Sequence, residues 1–274
     1  MDFTLHTYIQ LLHSLKNRGY EFETFEKFNP QEDSGRKAIL RHDVDDKPGN
    51  SYKTALIEHN LGIRGTYYFR IVKQSFNTDI IKKIASLGHE IGYHYEDLAL
   101  AKGNIKLAEK LFRKHLASFD GLYPVKTICM HGSPLSKYDN RLMWKEFNYT
   151  DFGILKEPYF DIDFSKVLYL TDTGRRWDGD KVSVRDRELH NGVMPLSANF
   201  KFHSTTELIK AADKGILPDK IMLNFHPQRW TNHLFHWSKE LVWQNTKNQV
   251  KKNGVIPSYL QRCTNPFLCL RAAL

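Results

Sequence analysis

Arg41-His42-Asp43-Val44-Asp45-Asp46 closes the apolar run Ala38-Ile39-Leu40. A buried strand that ends in three carboxylates within four residues places negative charge where burial is costly. Strand side chains alternate between faces, so Arg41, Asp43 and Asp45 share one face and His42 and Val44 the other. Two carboxylates side by side repel, and one is driven to protonate unless a cation is present. Arg41 can neutralise Asp43 and hold its pKa down. Asp45 or Asp46 can instead cap the helix that Lys47-Pro48 opens, which accounts for Asp46 but not for Asp43.

The same unit, an apolar run followed by a polar burst and a helical stretch, recurs along the chain. Strand-like runs cover 37–46, 63–71, 89–97, 125–134, 148–154, 167–177, 192–200 and 220–230. Helical patterns lie near 50–60, 77–86, 104–117, 137–145, 204–213 and 234–252. Strands alternating with helices predict a mostly parallel sheet with crossover connections. The expected fold is α/β, a distorted (β/α) barrel of about seven or eight mostly parallel strands. We read the 274 residues as a single domain with its core at about 37–230. A helix-strand extension at 1–36 precedes that core and a helical segment at 231–274 follows it. Such barrels carry their sites at the C-terminal strand ends, where this sequence repeatedly sets Asp, His and Arg.

The net charge of +9 raises the question of a nucleic-acid partner, but Lys and Arg are scattered and form no stripe with aromatics. We expect no nucleic-acid partner. Three cysteines (Cys129, Cys263, Cys269) make neither a disulfide framework nor a zinc pattern and suit a reducing compartment. The first 20 residues are too polar for a signal peptide, and no run reaches the ~18 apolar residues of a membrane helix. These features lead us to expect a cytoplasmic protein with no membrane contact; they are silent on oligomeric state.

Three strand-end histidines accompany the aspartates. Gly88-His89-Glu90-Ile91-Gly92-Tyr93-His94 offers two imidazoles five residues apart, on opposite faces of a strand. His94, nearer the C-terminal end, is the better metal ligand, and His89 reads as a buried, hydrogen-bonded histidine. Glu96 and Asp97 follow, placed to orient an imidazole. His131 ends an apolar strand before Gly132-Ser133-Pro134, and His226 ends another. An Asp with two His suits zinc or a similar divalent ion with positions left for water.

The segments "RHDVDD", "GTYYFR", "GHEIGYHYED", "MHGSP" and "NFHPQRW" occur in the order found in the polysaccharide deacetylase family. The chain resembles these metal-dependent carbohydrate esterases of the nodulation-deacetylase type over residues 37–230. It is most similar to a divergent branch with His-Asp-Val-Asp in place of adjacent Asp-Asp. The resemblance implies a distorted (β/α) barrel, with Asp43 as general base, Asp45 as metal ligand, His94 as first histidine of the His-x-x-x-His pair and His226 as general acid. The second histidine of that pair falls at Leu98. We assign the missing ligand to His131, with Glu96 in reserve. His131 also stands where the wider family has an Arg-Pro-Pro-Tyr segment.

The implied reaction is hydrolysis of an N-acetyl or other N-acyl group on a sugar or sugar-containing intermediate of polysaccharide synthesis. A divalent metal, zinc by preference, held by Asp45, His94 and His131 activates water, and Asp43 takes its proton. A backbone N–H near Gly132 or Ser133 helps hold the oxyanion, and His226 protonates the leaving amine. Arg41, Arg70, Asp172, Arg175, Arg176, Trp177 and Arg229, with Trp230, are substrate-side candidates for a small-molecule or oligosaccharide substrate. An indole face suits a sugar ring and Arg suits an anion. Two other readings remain open: a catalytically degenerate barrel that binds a sugar or nucleotide-sugar, and an amidase for a non-sugar amide.

Overall fold

The computed structural model describes residues 1–31, 35–132, 136–178 and 194–252, with no side-chain description for 249–252. Ser133, Cys263, Cys269, residues 192–193 of one expected strand and residues 253–274 of the expected helical segment lie outside the described residues.

Seven strands form one sheet: β1 (Tyr20–Glu23), β2 (Arg36–Val44), β3 (Thr66–Phe69), β4 (Glu90–Tyr95), β5 (Ile128–Met130), β6 (Leu168–Thr171) and β7 (Lys220–Phe225). Their order is β5-β4-β3-β2-β7-β6, and every pairing is parallel. On one side of β2 the first half pairs with β1 (Tyr20 opposite Arg36) and the second half with β3 (Arg41 opposite Thr66). Among the described residues the eight α-helices are α1 (Leu5–Asn17), α2 (Pro48–Asn60), α3 (Thr78–Ser86), α4 (Asp97–Leu100), α5 (Ile105–Leu116), α6 (Pro158–Asp161), α7 (Thr205–Asp213) and α8 (Leu234–Lys252).

The sheet is curled. On a flat sheet β5 and β7 would stand four spacings apart, roughly 19 Å. Yet His131, just past β5, and His226, just past β7, both bring a ring nitrogen within 4 Å of Asp45 (3.5 and 3.8 Å). β5 and β6 do not pair with each other among the described residues, so the barrel is incompletely closed. The expected distorted (β/α) barrel is what forms.

Local sequence explains the elements. Thr4, Asn77, Asn104 and Ser204 each accept a backbone N–H with their side chains and start α1, α3, α5 and α7. α1 buries Tyr8, Leu11, Leu12 and Leu15, one helical face, in the cluster that holds Leu208 of α7 with Ala38, Leu40 and Leu223 of the sheet. β2 is buried almost throughout, as expected of a central parallel strand covered on both faces. Its outward His42 stacks on Tyr67 at 4.0 Å and lies 2.7 Å from buried Glu58 of α2. The N-terminal end of the barrel is plugged by residues 24–28. There the N–H of Phe25 donates to Thr66, that of Glu26 donates to Glu90, and Lys156 caps the carbonyls of Glu26 and Phe28.

Three expected elements take another form. Residues 148–154 contain a 3-10 turn (Tyr149–Phe152), because Asn148 caps Thr150 and Gly153 adopts φ 75°. Residues 137–145 are also 3-10 (Asn140–Lys145), started by the Asp139 side chain. Leu196–Asn199 is a third such turn where a strand was expected.

Gly92 matters for the barrel interior. A Cβ there would lie 2.3 Å from the Tyr68 ring and 2.9 Å from the Thr127 carbonyl. Tyr68 is fully buried and held to Thr127 by its hydroxyl, so it has nowhere to go. Gly92→Ala is expected to cost about 1–3 kcal/mol, read as a lower urea midpoint at unchanged m-value.

Candidate metal centre

Arg41, Asp43 and Asp45 all face the barrel interior, as the alternation on β2 predicts. Arg41 forks onto Asp43 through Nε–Oδ1 (2.9 Å) and Nη2–Oδ2 (2.7 Å). Asn224, opposite Arg41 on β7, adds Nδ2 to Asp43 Oδ2 at 3.0 Å. Burial by itself would raise the Asp43 carboxyl; the guanidinium beside it holds it well below the usual carboxylate range. Both oxygens of Asp43 are therefore committed to donors.

Asp45, one step beyond the strand, is the open carboxylate. Its Oδ1 is buried without a hydrogen-bond partner. It faces His94 Nε2 at 3.7 Å and His131 Nε2 at 3.5 Å, and the three atoms lie within 4.8 Å of one another.

The opposite nitrogen of each ring is already used. His94 Nδ1 donates to the Cys129 carbonyl at 2.9 Å, since a carbonyl can only accept. His131 Nδ1 donates to Glu96 Oε2 at 2.9 Å. Each Nε2 is thus left with its lone pair directed at Asp45. Burial pushes the His94 imidazole down to about 4, which keeps it neutral near pH 7.

Two imidazole lone pairs and an unpaired carboxylate oxygen facing each other repel, and a cation among them removes the conflict. Ligands bound at about 2.0–2.1 Å to one tetrahedral ion stand roughly 3.4 Å apart, close to the separations from Asp45. The residues therefore fit a divalent ion with nitrogen and oxygen preference. A second grouping, Asp43, His94 and Cys129, also lies within 4.8 Å. It suits an ion less well, because Asp43 Oδ2 already accepts from both Arg41 and Asn224 and the guanidinium charge is adjacent.

His226 flanks Asp45 from the other side, Nε2 to Oδ2 at 3.8 Å. Its Nδ1 donates to Asp172 Oδ1 at 2.6 Å and its backbone N–H to Asp172 Oδ2 at 2.9 Å. Trp230 Nε1 (2.7 Å) and Arg229 Nη1 (2.5 Å) complete the set around Asp172, which is fully buried. Burial would raise Asp172, but Arg229 and His226 hold it low. Asp172 orients His226 from below, and Arg229 and Trp230 orient Asp172. Sequence alone placed Asp172 and Arg229 towards substrate; Asp172 is committed to His226, and Arg229 to Asp172.

The remaining substrate-side candidates are also engaged. Arg70, just past β3, forks onto Glu96 at 2.7–3.0 Å. Burial opposes the Glu96 charge, yet His131 and Arg70 bring its carboxyl down to about 2. Glu96 therefore supports His131 instead of replacing it. Trp177 is buried in the core with its Nε1 on Thr205, so its indole face is closed to a sugar. Arg175 is buried between Phe3 and Trp237, and Arg176 pairs with Asp178 and His203. The structure does not bring Arg175, Arg176 or Trp177 to the Asp45 cluster.

Leu98 is 3 % exposed and packs in the core. His89, as expected, is a buried structural histidine bonded to Gly65 N–H and the Ala55 carbonyl. Among the described residues Asp46 accepts only the Lys47 N–H, and Lys47 itself is the N-cap of α2. Asn224 and Asn140 were not anticipated. Asn140 holds the His131 carbonyl and the Ala99 N–H. Asn224 was detectable, because it precedes His226 by two and shares its face. Asn140 gave no such signal.

No protein-family model matches the chain, and no curated protein is similar to it. Among solved structures it is similar to a carbohydrate esterase family 4 pseudoenzyme from Bacillus anthracis (14 % identity over 82 % of this chain and 66 % of that chain, TM-score 0.41). A family 4 carbohydrate esterase from Streptomyces lividans in complex with acetate gives 12 % over 81 % and 91 %, TM-score 0.40. A polysaccharide deacetylase from Bacillus cereus gives 14 % over 78 % and 89 %, TM-score 0.39.

Proposed function

We propose that the chain is a divalent-metal-dependent hydrolase of the polysaccharide deacetylase type that removes an N-acyl group, such as acetyl, from a sugar. The observation that carries this reading is the convergence of Asp45 Oδ1, His94 Nε2 and His131 Nε2 beside an ionised Asp43 and opposite His226.

Asp45, His94 and His131 hold the ion, and their one oxygen and two nitrogens suit zinc. Bound there, a divalent cation supplies Lewis acidity, which brings the pKa of water towards neutrality and polarises a carbonyl. Asp43 is kept ionised and fixed in direction by the Arg41 fork, so it is ready to accept a proton from water. His226 carries its proton on Nε2 towards the leaving nitrogen. Asp172, bound to Nδ1, stabilises the imidazolium and fixes its orientation, as a buried carboxylate does for a catalytic histidine elsewhere. The His131 arm depends on Glu96 and Arg70. Glu96→Gln is expected to weaken zinc binding about 10–100-fold in a chelator competition, because the His131 ring is left with a neutral, weaker acceptor that the Arg70 fork no longer fixes.

The reading is tested with purified chain and N-acetylated sugars. Acetate release should be abolished by a chelator and restored by added zinc. Sugar binding that persists without any acetate release under either condition would instead support a degenerate, binding-only barrel.

A further inference from the structure

His94, His131 and His226 each present Nε2 near Asp45 and give Nδ1 to an acceptor. For His131 and His226 that acceptor is a buried carboxylate, Glu96 and Asp172. His94 differs, because its Nδ1–H donates to a peptide carbonyl, that of Cys129. The same planar peptide unit carries the Met130 N–H, which donates to Glu157 Oε1 at 3.0 Å. A single peptide thus links the His94 ring to a fully buried carboxyl that takes no part in the proton transfers above.

The path of the chain brings Glu157 to this peptide. β5 is an edge strand, and residues 155–156 run beside it. Leu155 N–H donates to the Lys126 carbonyl at 2.7 Å, and Ile128 N–H donates to the Lys156 carbonyl at 3.1 Å. Pro158 then opens α6 and turns the main chain away. The Met130 N–H, next along that edge and buried, meets the Glu157 side chain in place of a carbonyl. Glu157 Oε1 also accepts the Tyr95 hydroxyl at 3.4 Å, and the Tyr95 carbonyl accepts the His131 N–H at 2.8 Å. Oε2 caps α6 by accepting the Tyr159 N–H at 2.5 Å. Burial pushes the carboxyl up to about 7, against the pull of the Met130 and Tyr159 N–H groups. A proton taken up there goes to Oε2, which faces one donor; Oε1, which faces two, stays an acceptor.

Resting on the hydrolase reading above, we propose that Glu157 is a positioning residue of the metal centre, holding His94 through the Cys129–Met130 peptide as Glu96 holds His131 directly. Hydrogen bonds in a chain polarise one another, so the pull of Glu157 on the N–H makes the Cys129 carbonyl a stronger acceptor. The His94 ring is then fixed with Nε2 turned to Asp45, and its basicity as a ligand is raised.

Two substitutions separate this role from the α6 cap. Glu157→Asp is about 1.5 Å shorter; it keeps the cap, which Asp fills well, and loses the Met130 N–H. Glu157→Gln resembles the neutral acid: its Oε1 still faces Met130 and Tyr95, and the cap is what it loses. The full chain of parent and variants is loaded with cobalt(II), whose visible absorption reports ligand geometry. Affinity is read by chelator competition, beside metal-free melting curves. Glu157→Asp should bind cobalt about 10–100-fold more weakly than the parent and with an altered band. Glu157→Gln should keep the parent band and lie within a few-fold of the parent affinity, even where it melts earlier. Parent-like binding and band in Glu157→Asp, an altered band in folded Glu157→Gln, or losses in both that track melting temperature would overturn the assignment and leave Glu157 a structural cap. A parent that binds no cobalt removes the metal reading itself, and the assignment with it.

Discussion

Asp45→Ala abolishes tight metal binding while leaving the metal-free fold as stable as the parent. That pairing of outcomes follows from the geometry. Asp45 Oδ1 is buried, unpartnered and turned towards two imidazole lone pairs. In the absence of a cation its Oδ1 makes no hydrogen bond, and burial offsets the pull of the surrounding imidazoles, so its removal changes the melting temperature of the chelated protein little. With zinc, the variant loses one of three protein ligands. The affinity loss should exceed the 10–100-fold typical of an outer partner and reach about 10³-fold. The check is a melting curve with and without zinc. The parent should gain stability by mass action, about 4 kcal/mol at a thousand times Kd, and the variant should gain almost none at the same concentration. A variant that melts earlier without metal and still binds zinc would show that Asp45 is structural.

Asp43→Asn should do the converse. Zinc affinity changes only a few-fold, because the Asp43 oxygens are spent on Arg41 and Asn224. The turnover rate for acyl release falls about 10²–10⁴-fold, the usual worth of a positioned proton acceptor. The substitution leaves the buried Arg41 guanidinium with a neutral partner, so stability also falls. Rates are therefore compared well below the variant's melting temperature, at saturating zinc. Unchanged turnover at full zinc occupancy would remove Asp43 from the chemistry.

The sequence showed most of the sheet because period-2 alternation and strand-end polarity are local signals. From "RHDVDD" alone, the shared face of Arg41, Asp43 and Asp45 and the outward turn of His42 could be read. The resemblance added expected roles for those aspartates and for His94 and His226. What it could not supply was commitment. Asp172, Arg70, Arg229 and Trp177 look like solvent-facing recognition groups in a linear pattern. In the folded chain each is engaged by a partner distant in sequence: His226, Glu96, Asp172 and Thr205. Such engagement depends on tertiary contact, which no spacing rule encodes. The 3-10 turns at 140–145 and 149–152 were missed for a related reason. Side-chain caps from Asp139 and Asn148 satisfy the backbone locally and override the apolar pattern. Leu98 resolves in the same way. It is a core residue, and the second imidazole near Asp45 comes instead from His131, just past β5, across a curled sheet.

The central claim is that Asp45, His94 and His131 form one metal site. The most direct measurement is anomalous scattering at the zinc edge from crystals grown with zinc. A single strong peak is predicted within about 2.0–2.2 Å of Asp45 Oδ1, His94 Nε2 and His131 Nε2. A peak against Asp43 and Cys129, or no peak at the mouth of the barrel under saturating zinc, would contradict it.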